Sequence, residues 1–134
     1  MSGPVSPPDT GVELSSIAQI ALRARDLERA AAFYRDVLGL RLLFAPPGLA
    51  FFDCGGVRLM LGGAESEEFD HPSSIIYFRV SDIHQAHATL TERGAAFRDT
   101  PHCIARLPGA EIWMTYFSDS EGNTLALTSE VAAA

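Results

Sequence analysis

Gln19-Ile20-Ala21-Leu22-Arg23-Ala24-Arg25-Asp26-Leu27 is met a second time, changed but legible, as Ile75-Ile76-Tyr77-Phe78-Arg79-Val80-Ser81-Asp82-Ile83. The offset of 56 residues holds through Leu38 and Gly94, and it matches Ile20/Ile76, Arg23/Arg79, Asp26/Asp82, Ala30/Ala86 and Ala32/Ala88. Those five identities in twenty positions compare with about one expected by chance at ordinary composition. The chain is an internal duplication, so each copy helps to read the other. In the first copy Ile20, Leu22 and Ala24 alternate with Gln19, Ala21 and Arg23, the period of a strand with one covered face. Asp26 then reads as an N-cap, its carboxylate accepting from free N–H groups of a first helical turn. Leu27, Ala30, Ala31, Tyr34 and Leu38 recur at helical spacing, and Gly39 stops the helix. The second copy repeats this with Ile76, Phe78 and Val80, the cap Asp82, the stripe Ile83, Ala86 and Leu90, and the stop Gly94.

Three strands are expected after each helix. In the first copy they fall at 41–44, 50–53 and 57–61, separated by Pro46-Pro47-Gly48 and Gly55-Gly56. In the second they fall at about 96–107, 111–118 and 124–129, with a type II turn at Pro108-Gly109 and a tight turn over Asp119-Ser120-Glu121-Gly122-Asn123. The expected fold class is α+β, built from two βαβββ modules in one domain, a helix on the convex side of each. Residues 1–13, with Pro4, Pro7 and Pro8, read as a tail, and residues 14–131 as the domain. Its modules span about 14–63 and 74–131, joined by a linker over 64–73 that carries Glu65, Glu67, Glu68 and Asp70.

Composition narrows the function. Apolar residues make up 47% of the 134 and charged residues 20%, enough for a packed core. The formal charge of −7 argues against nucleic acid as a partner, since phosphate binding needs a basic stripe. No apolar run reaches the roughly 18–20 residues that cross a bilayer, and the N-terminus lacks the pattern of a signal peptide. Cys54 and Cys103 make neither a disulfide framework nor a zinc cluster, so a cytoplasmic protein with reduced thiols is expected.

The duplicated βαβββ unit, its helix reading Asp26-Leu27-Glu28 and then Phe33-Tyr34-Arg35-Asp36-Val37-Leu38-Gly39-Leu40, resembles the vicinal oxygen chelate superfamily. Glyoxalase I, extradiol dioxygenases, methylmalonyl-CoA epimerase, fosfomycin resistance enzymes and bleomycin resistance proteins belong to it. Phe117-Ser118-Asp119-Ser120-Glu121-Gly122-Asn123 is similar to the family's F-x-D-P-x-G-N turn, with Ser120 where Pro is usual. The resemblance covers about residues 16–130. It implies mixed sheets curled around a shared groove, and a homodimer. Metal-dependent members take four ligands from the concave face, at positions that here read Gln19, Met60, Ile75 and Ala126. Two of these are hydrocarbon, one is a soft thioether and one a neutral amide, so no metal cofactor is expected.

Strand parity identifies the rest of the groove. With Ile20, Leu22, Ile76, Phe78 and Val80 under the helices, Gln19, Ala21, Arg23, Ile75, Tyr77 and Arg79 face the other way. Leu59 and Leu61 likewise turn Arg58 and Met60 inward, and Leu125 and Leu127 turn Ala126 inward. By resemblance, Ile112, Met114 and Tyr116 join them. The expected ligand-binding set is therefore Gln19, Arg23, Met60, Ile75, Tyr77, Arg79, Met114, Tyr116 and Ala126. Arg23 and Arg79 form either a paired clamp for an anionic group or two structural strand-end cations.

His102, Arg106, Glu111 and Trp113 fall on one face of the second hairpin, with His102 opposite Thr115. His102 and Glu111 are the catalytic candidates, His102 as a general base because its pKa lies nearest neutrality. A cross-strand Arg106–Glu111 ion pair beside a satisfied histidine is the preferred reading of the same residues. His84 and His87 read as a solvated helix face, His71 as a loop residue, and both thiols as unreactive. Two functions follow. One is a metal-independent protein that binds or sequesters an apolar or aromatic small molecule. The other is a lyase or isomerase of the glyoxalase or epimerase type with a non-standard site such as Gln19, Glu111 and His102, with or without an assisting metal.

Overall fold

The computed structural model describes Val12 and residues 15–63 and 71–132. The expected tail, apart from Val12, and the acidic part of the expected linker lie outside the described residues. In chain order the elements are β1 (Gln19–Arg23), α1 (Leu27–Ala32) running into a π-helical turn (Phe33–Val37), β2 (Arg41–Phe44), β3 (Leu49–Cys54), β4 (Val57–Gly62), β5 (Ile76–Arg79), α2 (Ile83–Glu92), β6 (Ala96–Phe97), β7 (His102–Leu107), β8 (Ala110–Ser118) and β9 (Thr124–Ala132). Both copies thus fold as βαβββ, with one extra short strand in the second.

Both capping aspartates act as expected. Arg29 N–H donates to Asp26 at 3.1 Å, and Gln85 N–H donates to Asp82 at 3.1 Å. The first helix departs from regularity in its second half. Leu38 N–H reaches back five residues to the Phe33 carbonyl at 3.1 Å, and the wider turn lets consecutive Phe33 and Tyr34 both point into the core. Gly39, at φ 76°, then reverses the chain as Leu40 N–H bonds the Tyr34 carbonyl.

The sheets correct one expectation. The first runs β1-β4-β3-β2 and the second β5-β9-β8-β6, with β7 also on β8. Each is mixed, with parallel β1/β4 and β5/β9 pairs and antiparallel pairs elsewhere. Neither is closed or curled: each is an open path whose two ends are edge strands, so no hydrogen-bonded wall encircles a groove. The expected single strand over 96–107 is also divided. β6 and β7 both lie on the same side of the long β8, β6 at its C-terminal end and β7 along its N-terminal half. The segment between them turns out of the ladder, where the Asp99 carboxyl accepts from Thr115 Oγ1 at 2.7 Å and from Tyr116 N–H at 3.0 Å.

The helix-facing residues of both sheets join in one core. It contains Leu22, Tyr34, Phe52, Leu59 and Leu61 from the first copy with Ile83, Leu90, Phe117, Leu125 and Leu127 from the second. The β8–β9 turn adds a polar latch between the copies. Tyr34, fully buried, donates its hydroxyl to Asp119 Oδ2 at 2.8 Å. The same carboxylate accepts from Asn123 Nδ2, Asn123 N–H and Glu121 N–H, each at 2.8 Å. Asn123 Nδ2 also donates to the Arg23 carbonyl at 2.9 Å, at the end of β1. Glu121 accepts from Arg25 N–H, Asp26 N–H and Arg29 Nε at the start of α1. The motif that carries the family resemblance is therefore a structural joint.

Candidate functional site

Strand register sets the face turned away from the core. On the first sheet the pairings Ala21↔Met60, Met60↔Phe51 and Phe51↔Phe44 place four side chains in one row. The neighbouring row reads Gln19, Arg58, Asp53 and Arg41. An apolar strip thus lies beside a charged one, because cross-strand partners share a face. Phe44 and Phe51 stack with centroids 4.5 Å apart, and the Arg58 guanidinium lies 5.8 Å from the Phe51 ring. Gln19 Nε2 donates weakly to Met60 Sδ at 3.7 Å. A cavity of about 500 Å³ opens at the Ala21–Met60 end of this row, lined also by Arg23, Gly62 and Ser73 among others. Its size suits a small organic molecule.

On the second sheet the corresponding row is Tyr77, Ala126 and Tyr116. Ala126 is fully buried and lies between the two tyrosines, on the strand that separates them. A methyl group there leaves room for the rings to meet edge-to-face at 6.1 Å, with hydroxyls 3.4 Å apart. That hydrogen bond with Tyr77 raises the Tyr116 phenol above its ordinary range. The Tyr116 hydroxyl also approaches Met114 Sδ at 3.8 Å. The next row reads Arg79, Thr128, Met114 and His102. Ile75 precedes β5 and is exposed, as are Tyr77 and Arg79.

His102 corrects a second expectation. Arg106 does pair with Glu111, but Ile104 is an extra residue in β7, so Cys103 pairs with Trp113 and His102 with Met114 rather than Thr115. A bulge shifts every later side chain to the opposite face. His102 therefore joins Met114 and leaves Glu111, which bonds Arg106 at 3.2 Å and Trp113 Nε1 at 3.1 Å. These bonds, Trp113 first, hold the Glu111 carboxyl below the usual carboxylate range. The catalytic candidates His102 and Glu111 do not share a face.

The expected ligand set divides between the two sheets. Gln19, Arg23 and Met60 belong to the first, while Tyr77, Arg79, Met114, Tyr116 and Ala126 belong to the second. Among the described residues, no hydrogen bond or ring contact joins the Gln19–Met60 pair to the tyrosine cluster. Arg23 ends β1, half-buried, and Arg79 ends β5 on the other sheet. A second cavity of about 470 Å³ contains none of the expected residues; it lies on the helix side, between Leu38, Leu40 and Phe78 and the α2 residues Gln85, Ala86 and Thr89.

The four positions that serve as ligands in metal-dependent relatives do not fit a divalent ion. Gln19 and Met60 turn to one another, Ala126 is sealed beneath two tyrosines, and Ile75 offers only hydrocarbon. No group of three or more His, Cys, Asp or Glu side chains gathers among the described residues. Sequence reasoning missed Phe44, Phe51 and Asp99. Phe51 and Phe52 are adjacent and both apolar, so alternation alone did not say which faces the core; the Phe51↔Met60 pairing does.

A family model described as the Glyoxalase/Bleomycin resistance protein/Dioxygenase superfamily matches residues 16–127. Among solved structures, a lactoylglutathione lyase from Agrobacterium tumefaciens is similar at 25% identity and TM-score 0.67, covering 92% of this chain and 96% of its own. TnmS3, an antibiotic binding protein from Streptomyces sp. CB03234, matches at 26% identity and TM-score 0.71, with 88% and 98% covered. A superfamily member from Sphaerobacter thermophilus DSM 20745 matches at 27% and 0.71, with 87% and 98% covered. No curated protein matches.

Proposed function

Because the chain belongs to the glyoxalase/bleomycin resistance protein/dioxygenase superfamily, we propose that it binds a small aromatic molecule without a metal ion, as a binding or sequestering protein. The observation that carries this reading is the pair of aromatic clusters on the faces turned from the core, Phe44–Phe51 with Met60 and Arg58, and Tyr77–Tyr116 with Met114, in which Phe44 and Tyr77 are exposed. Such faces recognise flat organic rings through stacking and thioether contact. The likeness to an antibiotic binding protein supports it. The lyase or isomerase reading loses its constellation, since Glu111 turns away from the face that holds His102.

The test is a thermal-shift screen of aromatic natural products beside Ni²⁺, Mn²⁺ and Zn²⁺. An aromatic ligand at about 100 times its Kd should stabilise by about 2.7 kcal/mol, whereas the ions should leave Tm where it was. Gln19→Ala should then weaken the ligand by about 1 kcal/mol with the fold intact. A stoichiometric metal that disappears with Gln19→Ala would overturn the reading.

The two faces lie on different sheets, so each is half of a lined site, and a homodimer that brings unlike halves together is part of the proposal. Exposed Leu42, Phe44, Ile75 and Tyr77 support it as apolar surface in need of cover. Sedimentation velocity at tens of micromolar, on the order of ordinary assay concentrations, should give a dimer. A monomer there would remove this part of the proposal.

A further inference from the structure

We propose that His102, its tautomer fixed by the Thr100 carbonyl, is the acceptor that reads the hydroxyl group of a phenolic or enolic ligand lying on the Tyr77–Tyr116 face. The inference rests on the reading of that face as a binding surface, and it adds the chemical class of the ligand.

Its basis is the position and the tautomer of His102. The Ile104 bulge brings His102 into the row of Met114, Thr128 and Arg79, one row from Tyr116, Ala126 and Tyr77. Its Nδ1 lies 2.9 Å from the Thr100 carbonyl oxygen, which can only accept, so Nδ1 carries the proton of the neutral ring. Asp99 Oδ2, at 4.0 Å, lies beyond hydrogen-bond reach of that nitrogen. Nε2 is then left with a lone pair, on a side chain 46% exposed. Asp99 is itself held from behind by the Thr115 hydroxyl and the Tyr116 amide. Partial burial works to raise its pKa, but those two bonds and the nearby imidazoles hold the carboxyl below its ordinary value. Asp99 thus anchors the segment that presents the Thr100 carbonyl, and His102 is the group that touches the ligand.

The surroundings select the donor. The charged and titratable groups placed around the imidazole are Asp99, His87 with its Nε2 3.3 Å from the Asp99 carbonyl, Arg79 at the far end of its row, and the two phenols, which bond one another. Tyr116, Tyr77 and Met114 present ring faces and a soft sulfur, which favour an aromatic body over an aliphatic alcohol or a sugar. A hydroxyl on an aromatic ring is a stronger donor than an aliphatic one, and it lies in the plane of the ring that the tyrosines would hold. The geometry therefore fits a hydroxylated aromatic ring and is a poor match for its methyl ether, which would leave the Nε2 lone pair unpaired.

The experiment pairs 2-naphthol with 2-methoxynaphthalene in fluorescence titrations of the full chain. The wild type should prefer the naphthol by about fivefold, and His102→Phe should bring the ratio to about one. In the ligand-free protein at pH 8, ¹⁵N-correlated spectra should show His102 protonated at Nδ1. Equal binding of both probes by the wild type, a preference that survives His102→Phe, or an Nε2–H tautomer would each overturn the role of His102 alone. Binding of neither probe would defeat the reading of the face and the role of His102 together.

Discussion

Asp119→Ala is expected to cost about 3–5 kcal/mol, the largest effect of any single polar substitution in this protein. The reason is the number of donors that converge on one carboxylate. Tyr34 hydroxyl, Asn123 Nδ2, Asn123 N–H and Glu121 N–H all lie 2.8 Å from its oxygens. Tyr34 is fully buried, and burial, together with the negative charge of Asp119, pushes its phenol far above its ordinary range. Deleting the carboxylate leaves that hydroxyl and two turn donors without partners in a site that water does not reach. Each stranded donor costs about 1–3 kcal/mol, and relaxation of the turn recovers part of the sum. Asp119→Asn should fall between, because one of its two oxygens becomes a donor facing donors. Denaturant unfolding measures both. The midpoint should drop with the slope unchanged, as expected when the latch fails without loosening the denatured state. A loss below about 1 kcal/mol for Asp119→Ala would mean that the two copies are held by apolar packing alone.

Glu121 supplies the second large effect, and it appears as acid sensitivity. Its side chain is 2% exposed and bonds Arg29 Nε at 2.8 Å, with the backbone N–H groups of Asp26 and Arg25 adding to it. The Arg29 bond above all pulls its pKa from 4.5 down to about 2. A carboxyl depressed by folding stabilises the native state at every pH above its unfolded value. That stability is lost as the pH falls from about 5 toward 2. At about 1.36 kcal/mol per pH unit the difference corresponds to about 3 kcal/mol. Water around Arg29, whose side chain is 58% exposed, reduces this to about 2 kcal/mol. Glu121→Gln should therefore lower stability at pH 7 by about 2 kcal/mol and flatten the stability profile between pH 5 and 2. Unfolding curves at pH 3, 5 and 7 check it. A variant whose profile stays parallel to the wild type would show that other carboxylates govern acid unfolding.

Much of the fold was legible because its signals are local and appear twice. A capping aspartate needs only the next three residues, and Asp26 and Asp82 both do what a cap does. Period-two alternation settles which side of a strand faces a helix, so Leu22, Leu125 and Leu127 are legible as core residues, whereas the parity of β8, and with it the placement of Met114 and Tyr116, rests on the family resemblance. The duplication made each assignment twice.

What the sequence by itself determined was the duplicated strand–helix–strands plan, the order of its elements and the core-facing parity of β1, β4, β5 and β9. The tertiary structure decided the rest. Whether the sheets close was not written in any strand, because closure depends on how edges meet, and here both sheets remain open. The Ile104 bulge leaves the alternation of β7 unremarkable to the eye, yet it moves His102 to the other face, since register is a property of two paired strands. Asp99 could not be connected to His102 and Tyr116 until the chain between β6 and β7 left the ladder. The latch joins Tyr34 to Asp119, 85 positions apart, and Asn123 to Arg23, 100 apart. Periodicity and capping report on neighbours within a few residues along the chain, whereas these contacts exist only once the two copies pack and their buried polar groups must find one another.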